Sequence, residues 1–312
     1  MSLQAFLPLL LAAVFGAAAP LMARRLPPPV ATWLLSIGGL IAAAASVAVL
    51  GFLAFTLVGQ LPVLAQQGHW SAVALRHADA ASVPVELAAL LALAAVTVRV
   101  AIAVLRRGRA LLDAYRLAEA LSAHGGELAV IADPVPCAYA VPGRPGRIVA
   151  SVGIIRGLDA AERRAVIAHE GSHLRHHHHA HHTAAALAAA ANPLLGRLPV
   201  AVALATERWA DEDAARCTQR DTVAAALIYA AGAAPARATA PAAVLAVATQ
   251  HVVARVQALR APAPRATAWR ITALLALLLI TVASIVLAAH DTERLFELAK
   301  RTYLAAHHFR YR

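Results

Sequence analysis

The centre of the chain, residues 158–182, reads LDAAERRAVIAHEGSHLRHHHHAHH. Asp159 and the glutamate three residues later form the pattern of a capping box, so a helix is predicted to begin near residue 160. This helix carries H-E-x-x-H, in which His169 and His173 are four residues apart. Residues at that spacing lie on one helix face, so both imidazoles can bind one metal ion. Glu170 is then placed to accept a proton from a water molecule on that ion.

A catalytic zinc site needs a third protein ligand and an open fourth position for water. His179 stands where the pattern H-E-x-x-H-x-x-G-x-x-H has its third histidine, but His176 replaces the glycine that makes the turn. We expect the helix to continue through the following histidines, which carries His179 away from the metal. The segment ERWADEDAA (207–215) offers Glu207 instead, with Asp211 one turn later and placed to orient a zinc-bound histidine. A solvated acidic patch is the competing interpretation of this segment.

Other metal-binding side chains in the sequence are a cluster of histidines and two cysteines. The cluster His176–His182 is either a polar extension of the motif helix or a secondary metal-binding or metal-sensing patch. Cys137 and Cys217 are far apart in the sequence. Two such cysteines indicate neither a disulfide framework nor a thiolate zinc site.

Short strand-like runs and amphipathic helices surround the motif. Strands are predicted in three runs, which are ELAVIAD (127–133), PCAYAV (136–141) and RIVASVG (147–153). Helices are predicted over 107–123, 198–220 and 222–259, the last with an Ala/Pro-rich break over 233–242. These elements predict a small α+β zincin-like domain.

The composition is that of an integral membrane protein. Of the 312 residues 60% are hydrophobic and only 14% are charged, and the mean hydropathy is +0.64. In soluble domains about a quarter of the residues are charged, which is far more than here, and disordered chains are poor in apolar residues. Both classes of protein are therefore excluded. The formal net charge of +11 is then attributed to contact with a membrane surface and not to nucleic acid.

Four apolar segments reach the length of about 20 residues that a spanning helix needs. They divide the chain into an N-terminal membrane region (1–105), a soluble peptidase-like domain (106–270), a fourth span and a short tail. The predicted spans are 3–22, 30–58, 83–105 and 271–289, and the tail is 290–312. The fold class is therefore mostly α with a small β-sheet.

Arginine clusters predict the orientation, because short loops rich in Lys and Arg stay in the cytoplasm. Arg24 and Arg25 follow the first span, three arginines near Arg106 follow the third, and Arg260, Arg265 and Arg270 precede the fourth. All three clusters predict a multi-pass cell-membrane protein with a cytoplasmic domain and both termini outside.

The apolar stretch 183–206 tests this scheme. It is interrupted by Asn192, Pro193, Arg197 and Pro199, so neither half is long enough to span a bilayer. We interpret it as a packed or membrane-skimming helical pair. Re-entrant insertion into the bilayer is the alternative.

The motifs PCAYAV, GRIVASVGIIRGLDAAERRAVIAHEGSHLRHHH and ERWADEDAA together resemble the membrane zinc peptidases of the BlaR/MecR antirepressor type. These are related to the HtpX and CAAX prenyl protease group, whose motifs are P-N-A-F-A, H-E-x-x-H and E-x-x-x-D. Cys137 and Tyr139 stand at the Asn and Phe of the first motif, and HVVARVQAL (251–259) faintly resembles an H-P-P-x-x-x-R element of the wider group. Only about twenty residues follow the fourth span, so the extracellular penicillin-binding sensor is expected to be lacking.

The resemblance implies zinc ligands at His169, His173 and Glu207, a catalytic base at Glu170 and a supporting Asp211. Weak candidates for stabilising the transition state are Tyr139, Arg216 and His251, with Arg255 as a further weak candidate for an active-site role.

The resemblance also implies a zinc-dependent endopeptidase that cleaves a cytoplasmic protein, first of all a BlaI-type repressor. The PCAYAV strand is a candidate for pairing with an extended substrate. Two alternatives stay open. One is a housekeeping protease for misfolded membrane proteins, and the other is a non-enzymatic His-rich metal sensor or degenerate scaffold.

Overall fold

The structure is a computed structural model that describes residues 6–122, 126–233, 252–262 and 268–308. It is mostly helical with one small sheet. Four helices within these ranges are long and apolar enough to cross a bilayer, and every predicted span falls on one of them. They are α1 (Leu7–Arg25), α2 (Pro28–Gly59), α5 (Val83–Ser122) and α12 (Ala268–His308). The short helices α3 (Pro62–Gln67) and α4 (Ala72–Ala78) join α2 to α5.

Helices α5 and α12 both extend beyond the predicted spans. The span 83–105 and the predicted helix 107–123 form one helix of 40 residues, because Gly108 is the only helix-weakening residue near the junction and an isolated glycine costs only about 1 kcal/mol. Most of the predicted tail, up to residue 308, is also helical. Its Phe296 packs against Phe55 of α2 and against Trp70, which holds this end of α12 on its neighbours.

The three predicted strands are confirmed and form one sheet. They are β1 (Leu128–Ile131), β2 (Ala138–Val141) and β3 (Arg147–Ser151), in the order β1-β3-β2. The central strand β3 is buried along its whole length and pairs parallel to β1 and antiparallel to β2. The second edge of β2 is therefore left unpaired in the sheet.

The motif helix begins where the sequence predicts and ends earlier. Short helix α6 (Val152–Gly157) leads to α7 (Ala160–Arg175), whose N-terminus has the predicted capping box of Asp159 and Glu162. Helix α7 stops at Arg175, His177 adopts a left-handed conformation with φ of 49°, and α8 (His178–Ala191) starts a new direction. The prediction of an uninterrupted helix is wrong here, because the alanine face of α8 packs into a core that local propensity does not reveal.

Helices α8 and α9 (Leu198–Cys217) form a hairpin that packs against the spanning helices. Alanines and leucines of the hairpin share the largest hydrophobic core with α1, α2 and α12. The hairpin tip lies against Gly16, near the middle of α1, where an added Cβ would be 2.2 Å from the Leu194 carbonyl oxygen. The stretch 183–206 is thus a helical pair packed on the spans. Its tip beside the middle of α1 is also the position that re-entrant insertion requires, so that alternative stays open.

Three polar contacts fix the hairpin to the spans. The Asn192 amide donates to Ser46 Oγ at 2.7 Å, and its carbonyl accepts from the Leu194 N–H at the tip. Ser36 Oγ lies 2.7 Å from Nδ1 of His181. Buried Arg208 of α9 donates to the carbonyls of Ala23 and Leu26 at the end of α1.

Two further helices complete the part of the fold that surrounds α7. Helix α10 (Arg220–Ala233) packs on α7, and residues 252–260 form α11. Val223 and Ala224 of α10 share a small core with Leu259 of α11. The predicted break over 233–242 falls almost wholly outside the described residues.

Candidate metal centre and its cavities

Two helices bring the H-E-x-x-H motif and the later acidic segment together. Helix α7 carries His169, Glu170 and His173, and α9 carries Glu207 and Asp211. The Nε2 atoms of the two histidines are 3.2 Å apart, and each lies 3.5 Å from a carboxylate oxygen of Glu207. Among the described residues, this is the one group of three or more potential ligands that converge in this way.

The dimensions of this triangle fit a tetrahedral zinc site. Ligand atoms that bind zinc at about 2.0–2.1 Å lie about 3.3–3.4 Å from one another in a tetrahedron. The two Nε2 atoms are 3.2 Å apart, and each is 3.5 Å from a different oxygen of Glu207, Oε2 for His169 and Oε1 for His173, so each pair is close to that spacing. Two imidazoles and one carboxylate are also a donor set of catalytic zinc sites, and they leave the fourth position open for water.

Asp211 lies behind the first histidine of the motif. Its Oδ1 is 3.1 Å from Nδ1 of His169, so the ring presents Nε2 to the metal position. Burial disfavours the charged form of His169, but Asp211 and Glu207 outweigh this effect and raise the pKa of His169 to about 10. A cation at the centre takes over the interaction with these carboxylates.

Arg255 of α11 joins two of the four acidic residues of α9, Glu207 and Asp211. Its Nε and NH2 donate to the two oxygens of Asp211 at 2.8 and 2.6 Å, and its NH1 lies 2.8 Å from Oε2 of Glu207. Burial disfavours the charged form of Glu207, yet Arg255 and His169 hold the pKa of this carboxyl well below its usual range. Glu207 is therefore a carboxylate, which is the form that binds a metal.

Glu170 lies between the metal centre and the edge strand. The backbone N–H of Ala140 in β2 donates a hydrogen bond to its carboxylate. Burial is the largest influence on Glu170 and raises its pKa above the usual value for glutamate. A carboxylate of raised pKa is a stronger base at neutral pH, which suits a group that takes a proton and returns it.

Two cavities meet at Glu170 and Glu207. The larger one, about 420 Å³, lies on the side of His173 between α5 and α8. The smaller one, about 160 Å³, lies on the side of His169, and its wall is mostly apolar. Ala140 of β2 borders the larger cavity and Ala138 borders the smaller one, so the free edge of β2 runs past both.

Two of the three weak candidates for transition-state stabilisation, Tyr139 and Arg216, lie away from this centre. Tyr139 lines neither of these two cavities, and its side chain is exposed. Arg216 forms an ion pair of 2.5 Å with Asp213 and lines neither cavity. His251 lies outside the described residues. Arg255 is the basic side chain that contacts the acidic ligands.

The histidine cluster is divided by the break between α7 and α8. His176 contacts Asp213 at 2.9 Å and stacks on Trp209, whereas His178 and His182 return to the larger cavity beside His173. His178 Nδ1 is 2.9 Å from Nδ1 of His173. These histidines form no second group of three converging ligands within the described ranges.

Comparison with known proteins identifies the family of this chain. The model of peptidase family M48 matches residues 106–277, which is more than half of the chain. The chain belongs to peptidase family M48. No curated protein and no solved structure gives a significant match.

Membership of the M48 family makes the protein a metallopeptidase, a hydrolase that acts on a peptide or protein. M48 peptidases are typically metal-dependent, and the His169, His173 and Glu207 cluster lies within the matched residues. The match begins on α5, just before the residues that line the larger cavity, and ends within α12.

Sequence reasoning left two parts of this M48 site out. Arg107 of α5 lines the larger cavity and lies in no motif, and His178 of α8 lines it although the sequence marked this residue only as part of the His176–His182 cluster. Arg107 was findable, because Arg107, Ala110, Leu111 and Ala114 follow the i, i+3, i+4, i+7 spacing of one helix face. The position of His178 in the cavity could not be predicted from the sequence, since it depends on the left-handed conformation of the residue before it.

Proposed function

We propose that this protein is a zinc-dependent membrane endopeptidase in which His169, His173 and Glu207 bind the metal. Glu170 is the general base, and Asp211 orients His169. The proposal rests on one observation: His169, His173 and Glu207 bring their ligand atoms within 4.8 Å of one another, with the half-buried carboxylate of Glu170 beside them.

The acidic side chains of this site have separate roles in the proposed reaction: Glu170 transfers the proton, and Glu207 binds the metal. A zinc ion held by His169, His173 and Glu207 would lower the pKa of a water molecule and polarise the scissile carbonyl. Glu170 accepts the proton of the attacking water and then transfers it to the leaving amine. Asp211 and Arg255 keep His169 and Glu207 in place during both steps.

The free edge of β2 supports binding of an extended substrate. The Ala140 N–H is engaged by Glu170, so a peptide that pairs with β2 uses Ala138 and the Ala140 carbonyl. Such a peptide places its backbone next to Glu170 and its side chains in the two cavities. Such pairing recognises main-chain groups, so flexible segments of many sequences can bind. Side-chain preference then depends on the cavities.

The arginine clusters support a catalytic domain of residues 106–270 that faces the cytoplasm, with both termini outside. A soluble cytoplasmic protein with an exposed extended segment is then the expected substrate. From the resemblance to the BlaR/MecR type, a BlaI-type repressor is the first choice, and its cleavage would release the genes that it represses.

A second candidate function, quality control of membrane proteins, is favoured by a third cavity. This cavity of about 640 Å³ lies between α2 and the loop after β2, and it includes Trp33, Ile37 and Leu40 of the span. It shares Pro142, Leu174 and His179 with the 420 Å³ cavity. A polypeptide segment close to the bilayer therefore has a path towards Glu170.

The first experiment separates metal binding from catalysis. Glu170→Gln should keep one zinc per chain and reduce peptide cleavage by about 10²–10⁴-fold, because it removes the base and not a ligand. Glu207→Ala should lower zinc occupancy in detergent-purified protein. Glu162→Gln on the same helix is the matched control, since glutamine also serves in a capping box. Full zinc occupancy in Glu207→Ala would remove Glu207 from the ligand set.

The second experiment separates the two candidate substrates. Candidate repressors and a misfolded membrane reporter are each co-expressed with the wild type or with Glu170→Gln, and their fragments are followed. Fragments of a repressor that depend on Glu170 support the regulatory function. Intact repressors together with a degraded reporter support quality control.

A further inference from the structure

The 420 Å³ cavity is built from two helix faces that no motif marks. One wall is a face of α5 with Arg107 at its end, and the opposite wall is the face of α8 with His178, His179 and His182. The rest of the lining is mostly small or apolar. The walls away from the metal centre therefore carry one positively charged side chain, Arg107, and several imidazoles.

The carboxylates that border this cavity are already engaged. Glu207 is held by Arg255 at 2.8 Å and faces the two histidines of the motif. Glu170 accepts a hydrogen bond from the Ala140 N–H. Within the described ranges, no ion pair joins Arg107 to a carboxylate. The potential on the Arg107 side of the cavity is therefore positive.

The tautomers of two neighbouring histidines add a hydrogen-bond donor. With a metal ion on Nε2 of His173, the proton of this ring would lie on Nδ1 and be donated to Nδ1 of His178 at 2.9 Å. The proton of His178 is then on its Nε2. That atom is buried and has no hydrogen-bond partner among the described residues, and the residue is only 1% exposed. A buried donor without an acceptor is unfavourable, so a ligand that supplies an acceptor gains affinity.

We propose that this cavity is a specificity subsite for an acidic substrate residue, an Asp or Glu side chain on one side of the scissile bond. Arg107 supplies the charge, and the imidazoles of α8 supply hydrogen-bond donors. The proposal rests on the proposed peptidase function and adds the side-chain class that the enzyme selects. The 160 Å³ cavity on the other side, bordered by Ile154, Val166 and Leu227, takes a small apolar residue.

The test compares peptides that differ only in Glu or Gln at one position, with amidated C-termini so that no terminal carboxylate contributes. The full zinc-loaded chain in detergent should cleave the Glu peptide with a kcat/KM about tenfold higher at one fixed position, as expected for one charge-assisted hydrogen bond. Arg107→Glu should reverse the preference towards a Lys peptide. Arg106→Glu is the matched control, because Arg106 lines none of these cavities and carries the same charge change.

A binding measurement keeps the subsite separate from the peptidase function. In the Glu170→Gln background, the Kd for the Glu peptide should be about tenfold below that for the Gln peptide, and Arg107→Glu should abolish the difference. Equal Kd values, or a preference that survives Arg107→Glu, would overturn the subsite. Selective binding without any cleavage by the zinc-loaded wild type would instead overturn the peptidase function and leave the subsite in place.

Discussion

Arg255 lies between two carboxylates that one turn of α9 places side by side, Glu207 and Asp211. It is 12% exposed, and it is the buried counter-charge of both. Arg255→Leu should therefore lower the free energy of unfolding of the metal-free protein by about 3–5 kcal/mol, because the buried carboxylate of Asp211 and the partly exposed one of Glu207 lose their partner. Arg255→Lys should lower the free energy of unfolding by less, since lysine keeps the charge. Some loss remains, because lysine lacks the guanidinium fork that bonds both oxygens of Asp211.

Thermal unfolding of the purified chain in detergent measures this effect. Arg116→Leu serves as the control, because the Arg116–Asp113 pair is exposed on both sides and contributes little. An Arg255→Leu protein as stable as the Arg116→Leu protein would contradict the role of Arg255 as a counter-charge.

At the same scale, the sequence predicts best what lies within one helix. His169 and His173 share a face because they are four residues apart, and Glu207 and Asp211 do so for the same reason. Arg255 comes from a helix about forty residues later, and no spacing rule relates it to Asp211. The family resemblance pointed to it, whereas the residues alone did not.

At the scale of elements, the hairpin of α8 and α9 is seated on α1 through close backbone contact at Gly16. Gly16→Ala puts a Cβ within 2.2 Å of the Leu194 carbonyl oxygen, so the hairpin tip has to move. We expect a loss of about 1–3 kcal/mol in the free energy of unfolding and reduced peptidase activity, because α9 also carries Glu207.

Gly51→Ala is the matched control in α2, since nothing lies within 4 Å of the added Cβ. It should retain stability and activity. Thermal unfolding and peptide cleavage of both variants in the same detergent give the comparison. If Gly16→Ala behaves like Gly51→Ala, the hairpin does not depend on this contact.

Elements with local signals were predictable, and those that depend on packing were not. The capping box at Asp159 and the turn residues around the strands marked α7, β2 and β3 correctly. The break at His177 has no glycine or proline to announce it. It exists because Ala185 and Ala188 of α8 are fully buried against the spans, which requires a new helix direction.

At the scale of the whole molecule, spans and hairpin share one core. That core includes Phe15 of α1, Leu35 of α2, Ala188 of α8, Leu198 of α9 and Leu278 of α12. Apolar segments 20 residues long were recognisable from the sequence, so all four long helices were predicted. The packing between them was not, because alanine-rich faces carry little pattern.

The arginine clusters make a prediction about sidedness that belongs to this scale. Reporter fusions after Arg109 and after Asp291 should give opposite results, with Arg109 on the cytoplasmic side. The measurement uses two reporters, one that is active only inside the cell and one that is active only outside it. An exterior-active fusion at Arg109 would place the metal centre on the other face of the membrane.

The length of helix α5 has one more consequence, because this helix is both a span and a wall of the 420 Å³ cavity. Its 40 residues form a rod of about 60 Å with no proline after the first turns. Ala114 lies about 30 Å along this rod from the middle of the predicted span, so a tilt of about 10° displaces it by about 5 Å. Helices adjust their tilt to bilayer thickness. We therefore expect the width of the cleft beside Glu170 to change with the thickness of the bilayer around the protein.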